Sequence, residues 1–430
     1  MQENKLNHEP IFCSLAFGSV SINSTGQYIP CCNIVSTEWS GYKELITHQD
    51  PAKKINSKSL MRLRSELSSG VWPKVCSKCR DSENNGADSM RTIWNKSLKQ
   101  HNIPIEEKIN PNNIRFLDLT FGTKCNSKCM TCSPGLSDFW EEEHRFLTKN
   151  VNLAKRTMDQ FPKRISISDH DAELIIRSFP NVEYIAFVGG EPTISNEHLD
   201  FLRSLIKLDR SKNIGLSYVT NLTGISDELT NLWSNFKEIN LSVSIDGYDK
   251  VNEYIRYPFR WKKIVTNLST IFDKTITNAT SPVYSVGLSY TPSIFNAGYS
   301  GDFFEYWYSL LKNYPNSNGH LIQQTSCYVN KVYWPEYANM LLLPNTFRDK
   351  EISKIDNLLK KIDNDQSNGV LVNKGLIDSL HLLKIWLGET QIHSNSLIKE
   401  LKSFIIGSDE FRNRDIKDYL PELWDEILTI

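Results

Sequence analysis

The residues best suited to chemistry are cysteines. Cys125, Cys129 and Cys132 stand in one short run, LTFGTKCNSKCMTCSPG, with three and then two residues between them. A structural zinc site closes with four ligands, and so does a ferredoxin-type cluster. Three neighbouring thiolates can instead hold three irons of a cubane and leave the fourth iron open. An open iron is a place where a substrate or cofactor binds.

A second group consists of Cys13, Cys31, Cys32, Cys76 and Cys79, so eight of the nine cysteines lie at or before position 132. Gly26 precedes Cys31 by a short step, which allows a hairpin that brings Cys13 and Cys31 together. Cys76 and Cys79, in KVCSKCRDSE, form a chelating loop. Cys13, Cys31, Cys76 and Cys79 complete a tetrahedral set that zinc and an iron-sulfur cluster accept alike. Cys32 duplicates Cys31, and the spacing to Gly26 selects Cys31. Cys327, far from the rest, reads as a core thiol.

Three further motifs carry polar groups. In Gly189-Gly190-Glu191-Pro192 the paired glycines let backbone approach a ligand, carbonyls can accept from an ammonium, and Glu191 adds a charge. YVTNLT places Thr220 and Asn221 together, and SVSIDG places Ser242, Ser244 and Asp246 at alternate positions, hence on one face of a strand. Such a row needs partners if it faces inward. Arg256 follows in EYIRYP.

These motifs sit at the ends of runs that read as strands: Ile114–Thr120, Glu183–Val188, Ile214–Thr220, Glu238–Ile245, Val283–Tyr290 and Leu321–Val329. Helical patterns separate them over Leu136–Leu147, Glu197–Leu208, Asp227–Phe236, Trp261–Phe272 and Phe303–Leu311. The alternation predicts an α/β fold with a parallel sheet, a partial (β/α)6 TIM-like barrel, whose reactive groups lie beyond the C-terminal strand ends. The loop-rich segment 1–105 is expected to be a small metal-stapled domain, 106–344 the barrel, and 345–430 a helical C-terminal region.

With 430 residues the chain has room for two or three domains at roughly 150 residues each. Lys and Arg number 49 against 50 Asp and Glu, which offers no large field for nucleic acid or an anionic membrane. No apolar run approaches the roughly 18 residues of a membrane span, and the first ten residues are polar, so a cytoplasmic location is expected. Nine cysteines in a reducing compartment point to metal rather than disulfides. The basic stretch Lys53, Lys54, Lys58, Arg62 and Arg64 reads as a solvated helix face.

Cys125-x3-Cys129-x2-Cys132 resembles the signature of the radical S-adenosylmethionine (SAM) enzymes. The resemblance implies a [4Fe-4S] cluster whose open iron chelates SAM, and reductive cleavage to a 5′-deoxyadenosyl radical that abstracts hydrogen from a substrate. Gly189, Gly190 and Glu191 are similar to the family's element at the SAM amino group. Thr220, Asn221 and Ser244 are then candidate SAM contacts, and Arg256 a partner of its carboxylate. The residue before the third cysteine, aromatic in many members, is Thr131 here, a departure that bears on the adenine contact and not on the cluster.

The N-terminal group resembles the twitch domain, a short SPASM-like module, which implies an auxiliary [4Fe-4S] cluster on Cys13, Cys31, Cys76 and Cys79. The runs WPKVCSKCRDSENNGADSMR and SIDGYDKVNEYIRYPFRW look like the subset in which this module precedes the barrel. The resemblance implies a flavodoxin or ferredoxin as electron donor and a peptide or small-molecule substrate, with neither nucleic acid nor membrane as partner. The competing expectation is a non-enzymatic zinc or iron-sulfur scaffold, which would keep the cysteines without needing the glycine pair, Ser244 and Arg256 together.

Overall fold

The computed structural model describes residues 10–425 except 24, 36–37, 40–49, 85–87, 151–166, 278–281 and 333. The chain forms two compact units: the first comprises Met1–Thr123, Lys163–Tyr218 and Glu228–Lys237, the second Lys124–Pro162, Val219–Asp227 and Glu238–Ile430. Among the described residues no helix is long and apolar enough to cross a membrane.

The first unit is built on strands β1 (Ser19–Ile22), β2 (Tyr28–Ile29), β3 (Phe116–Thr120), β4 (Tyr184–Val188) and β5 (Gly215–Thr220), in the order β2-β1-β3-β4-β5. All neighbours are parallel except β1 and β2, which form a hairpin through Gly26 at φ +73°. The sequence FLDLT of β3 is buried at every position, as expected of a central parallel strand covered on both faces. Its last residue, Thr120, is level with Val188 at the end of β4. The loops that follow β3 and β4 therefore leave the sheet side by side.

Sequence reading placed segment 1–105 in its own metal-stapled domain. In the structure β1 lies in parallel register with β3, Ser19 opposite Phe116 and Ile22 opposite Leu119, so this segment contributes a strand to the sheet. The basic stretch is also not uniformly solvated. Arg64 is buried and donates to the carbonyls of Ala16 (2.9 Å), Glu107 (2.7 Å) and Ile55, while Arg62 lies outside and pairs with Glu66. Arg64 ties three chain segments of this unit together, which an exposed Lys could not do.

The second unit holds β6 (Glu238–Ser244), β7 (Val283–Tyr290) and β8 (Ser326–Val329), parallel and in that order. Burial alternates along β6: Ile239, Leu241 and Val243 are buried, and Asn240, Ser242 and Ser244 form the other, half-buried face. Ser244 is level with Ser289 on β7. Two predicted boundaries shift. Leu321 and Ile322 belong to a short helix, His320–Gln324, opened by Gly319 at φ +79°, and β8 starts only at Ser326. A short apolar pair suits helix and strand equally, so periodicity could not separate them. The helix expected from Leu136 begins at Glu141, with an acidic first turn of Glu141–Glu143 favoured by the helix dipole.

After Pro344 the chain is helical over Asn345–Ser367, Lys374–Leu387 and Asn395–Arg412. Ile355, Leu358, Leu359 and Ile362 form the buried stripe of the first. Cys327, buried on β8, has its thiol pushed up to about 12 by burial, as befits a core residue.

Candidate functional site

The second unit carries Cys125, Cys129 and Cys132 on one loop. Its start is pinned by the amide of Cys125, which donates to Asp138 Oδ1 at 3.0 Å. Its middle is stitched to the Arg256 segment by a two-rung antiparallel ladder, with Lys128 opposite Tyr257 and Cys129 opposite Arg256. Trp140 Nε1 donates to the carbonyl of Cys129 at 3.1 Å, and Ser127 Oγ lies 3.0 Å from Cys129 Sγ. Burial pushes the Cys132 thiol well above its ordinary range, and the sulfurs of Cys129 and Cys125 add to that, partly opposed by Arg256. Crowded, buried thiols resist becoming thiolates unless cations share the space. This donor set fits an iron cluster, which supplies those cations.

Arg256 supplies one positive charge directly. Its Nη1 is 3.8 Å from Cys129 Sγ and its Nη2 is 2.8 Å from Asp246 Oδ2. Burial disfavours the cation, but Asp246, Cys129 and Cys132 outweigh that and hold it above its ordinary value. The buried Nε of Arg256 makes no hydrogen bond among the described residues. Asp246 is pulled up by burial and back down by Arg256 and by the amide of Thr291, which donates to its Oδ1 at 3.0 Å. Asp246, read from sequence as part of the polar row, thus orients Arg256.

Asn221 lies with the loop as well. Its Nδ2 donates to Asn126 Oδ1 at 2.9 Å, and Asn126 Nδ2 donates to Thr223 Oγ1 at 3.0 Å. Asn126 sits between the first two cysteines, so Asn221 braces the cysteine loop. Thr220 is buried and its hydroxyl accepts from the amide of Leu222 at 3.0 Å, fixing the turn after β5. Ser244 is half-buried at the C-terminal end of β6.

The first unit holds the glycine motif and the N-terminal cysteines. Gly189 and Gly190 both adopt positive φ, +79° and +54°. A Cβ on Gly189 would stand 2.3 Å from Thr120 Cγ2 and 3.3 Å from the carbonyl of Gly122, so only glycine fits there. Glu191 is buried, and its Oε1 accepts from the amide (3.2 Å) and hydroxyl (2.6 Å) of Thr193. It caps the turn Pro192–Ile194, a role the sequence reading did not anticipate.

Among the N-terminal cysteines, burial pushes Cys13 up to about 11 and Cys76 up to about 12, and Cys31 well above its ordinary value. Cys79 raises Cys13, Cys13 and Cys79 raise Cys76, and Cys32, Cys13 and Cys76 raise Cys31. The four thiols lie within electrostatic reach of one another. Arg91 opposes the rise at Cys13, and Asn33 Nδ2 donates to Cys79 Sγ at 3.4 Å. The Cys32 thiol is instead engaged by the buried carboxyl of Asp118 on β3. The set fits a metal group for the same reason as the loop triple. Among the described residues no three His, Cys, Asp or Glu side chains converge on a single ion. A cubane takes each thiolate on a different iron, so its ligands need not meet at one point.

Sequence reading missed Asn126, Asp118 and the arginines of the C-terminal helix. One signal was available: Trp140, Glu143 and Leu147 recur at helical spacing and are all buried, and a carboxylate on such a stripe demands a buried cation.

Residues 119–293 match the model of the Radical SAM superfamily. No curated protein matches the chain. Among solved structures, it is similar to native anSMEcpe with bound AdoMet, at 16% identity and TM-score 0.40 over 60% of this chain and 63% of that one. It is also similar to Streptococcus suis SuiB bound to precursor peptide SuiA, at 16% identity and TM-score 0.35 over 67% of this chain and 60% of that one. The chain thus spans less than two thirds of the length of either structure. The segment that carries the cysteine loop is thus similar to the Radical SAM superfamily.

Proposed function

We propose that this chain is a radical SAM enzyme that uses two [4Fe-4S] clusters to oxidise or modify a peptide or small-molecule substrate. The observation that carries the reading is the loop triple with Arg256 against it: three thiols at the end of a parallel strand, and a guanidinium fixed 3.8 Å from the middle one. A SAM-loaded cluster bound there would supply one-electron reductive cleavage of a sulfonium and, from it, hydrogen-atom abstraction from the substrate.

This chain's residues hold and orient. Cys125, Cys129 and Cys132 would hold the SAM-binding cluster. Arg256, held by Asp246, offers its remaining donors to the SAM carboxylate, the bidentate geometry for which guanidinium is suited. Ser244, Thr220 and Asn221, at strand ends of the second unit, would be the contacts for the SAM ribose.

Cys13, Cys31, Cys76 and Cys79, within residues 1–105, carry the auxiliary cluster. With four thiolates no iron is left open there, which suits electron transfer from an oxidised substrate rather than substrate ligation. A cytoplasmic flavodoxin or ferredoxin serves as electron donor. The test is metal analysis and electron paramagnetic resonance after anaerobic reconstitution. About eight irons and eight sulfides per chain are expected for two cubanes. A protein that retains only zinc contradicts the proposal and favours the scaffold.

A further inference from the structure

Two arginines from the end of the C-terminal helix reach the ladder that joins Cys129 to Arg256. Arg412 Nη2 donates to the carbonyl of Lys128 at 2.8 Å, and Arg414 Nη1 donates to the carbonyl of Tyr254 at 2.8 Å. Lys128 immediately precedes Cys129, and Tyr254 lies two residues before Arg256. Arg412 therefore holds the strand Lys128–Cys129, and Arg414 holds the end of the helix Asp249–Ile255 that leads directly into Arg256. Both also approach Met130, between the second and third cysteines, with Nη atoms 3.2 and 3.3 Å from its Sδ. The amide of Met130 donates across the junction to Ile255 at 2.9 Å.

Each arginine is itself fixed. Arg412 Nε meets both oxygens of Glu143, at 2.9 and 3.0 Å, with both side chains fully buried. Its guanidinium lies 5.0 Å from the ring centres of Trp140 and Tyr257. Arg414 pairs with Asp409 at 3.1 Å, and Asp409 also accepts from the Tyr254 hydroxyl (3.1 Å) and the amide of Ile416 (2.7 Å). Asn413, at φ +49°, turns the chain between them. A buried ion pair gains little over apolar packing of equal volume, but a rigid fork of donors fixes direction. Here one fork ends on the carbonyl of Lys128 in the ladder and the other on the carbonyl of Tyr254, two residues before it.

We infer that Arg412 and Arg414 are positioning residues that set the register between the cysteine loop and the Arg256 strand. The helix Asn395–Arg412 is thereby a working part of the site. The consequence for SAM rests on the function proposed above; the hold on the ladder does not.

The test uses the full chain with two variants. Arg414→Gln leaves Asp409 its other two donors, and Arg412→Gln combined with Glu143→Gln removes the ion pair, with Lys128, whose Nζ is 3.9 Å from Glu143, keeping its charge. In metal-free protein, the amides of Met130 and Cys132 should exchange with deuterium about tenfold faster in either variant, while β7 amides keep the wild-type rate. In reconstituted protein, SAM should bind about tenfold more weakly, and its effect on the cluster's paramagnetic spectrum should change shape. Unchanged exchange at Met130 and Cys132 in both variants overturns the inference. If the double variant does not fold, Arg412→Lys, which keeps the charge and loses the fork, carries the same expectation. A wild-type protein that binds no SAM defeats the proposed function, and the exchange measurement still decides the role of the arginines.

Discussion

Arg256 bridges Cys129 and Asp246, its Nη1 3.8 Å from the sulfur and its Nη2 2.8 Å from the carboxylate. The bridge makes the guanidinium both a charge partner for the thiolate loop and a rigid donor for an incoming anion. Arg256→Lys should keep the charge and lose the fork, weakening SAM binding about tenfold with little change in iron content. Arg256→Met should do more, because it strands the buried Asp246 carboxylate at a cost of about 3–5 kcal/mol. Asp246→Asn added to Arg256→Met should recover much of that stability without recovering SAM binding. Calorimetric titration with SAM and thermal unfolding separate the two effects. Full SAM affinity in Arg256→Met would count against the assignment.

Gly189 and Thr120 give a steric prediction. Gly189→Ala meets Thr120 Cγ2 at 2.3 Å and sits at φ +79°, so it should lose about 1–3 kcal/mol of stability. Thr120→Ser removes that methyl group. In the double variant the steric part should be relieved and the backbone strain retained, leaving a smaller loss than in Gly189→Ala alone. Urea unfolding of the four proteins measures this. A double variant as unstable as the sum of its singles contradicts the contact.

His198 predicts a pH dependence. It is fully buried, its Nε2 3.0 Å from the Tyr218 hydroxyl, which also accepts from Trp233 Nε1 at 2.9 Å. Burial lowers its pKa to about 3. The unfolded chain, with a value of about 6.5, therefore takes up a proton first as the pH falls. The stability tied to neutral His198 is complete above about pH 6.5 and declines by up to about 1.4 kcal/mol per pH unit on the way down toward 3. His198→Gln removes this titration. Denaturation at pH 7.5 and pH 5 should show a smaller acid loss in the variant. An equal loss in both proteins rules out His198 as the source.

The auxiliary set yields to metal analysis. Cys13→Ala combined with Cys76→Ala should leave about half the iron, because the loop triple keeps its own cubane. SAM cleavage without substrate should persist in this variant, since the thiols it lacks are not those that leave an iron open. Retention of full iron would show that these thiols hold none. Cys32→Ala should leave the iron content unchanged, because the Cys32 thiol is engaged by the carboxyl of Asp118.

Much of the site was legible because its chemistry concentrates at strand ends. In the second unit Asn221 directly follows a β-rich run and Ser244 ends one, and most of the strands fall where alternation and β-branched content placed them. What supports the site was not legible. Glu143 and Arg412 are 269 positions apart, and no local period links them. Strand β1 is four residues, SVSI, too short to claim a place in the sheet from pattern alone. Glu191 and Asp246 were read as charges awaiting a ligand, but each is engaged by its own neighbourhood, Glu191 by Thr193 and Asp246 by Arg256 and Thr291. Residue type and spacing announce donors; which donor meets which acceptor is decided by tertiary packing.

The central claim is that three loop thiols hold a cluster with one iron free for SAM. The most direct measurement is 5′-deoxyadenosine released from SAM by the anaerobically reconstituted, dithionite-reduced protein, compared with its Cys125→Ala, Cys129→Ala, Cys132→Ala triple variant. The account predicts release by the wild type and none by the triple variant, which should still retain about half the iron on the N-terminal set. A fully loaded wild-type protein that releases no 5′-deoxyadenosine, or a triple variant that releases as much as the wild type, would contradict it.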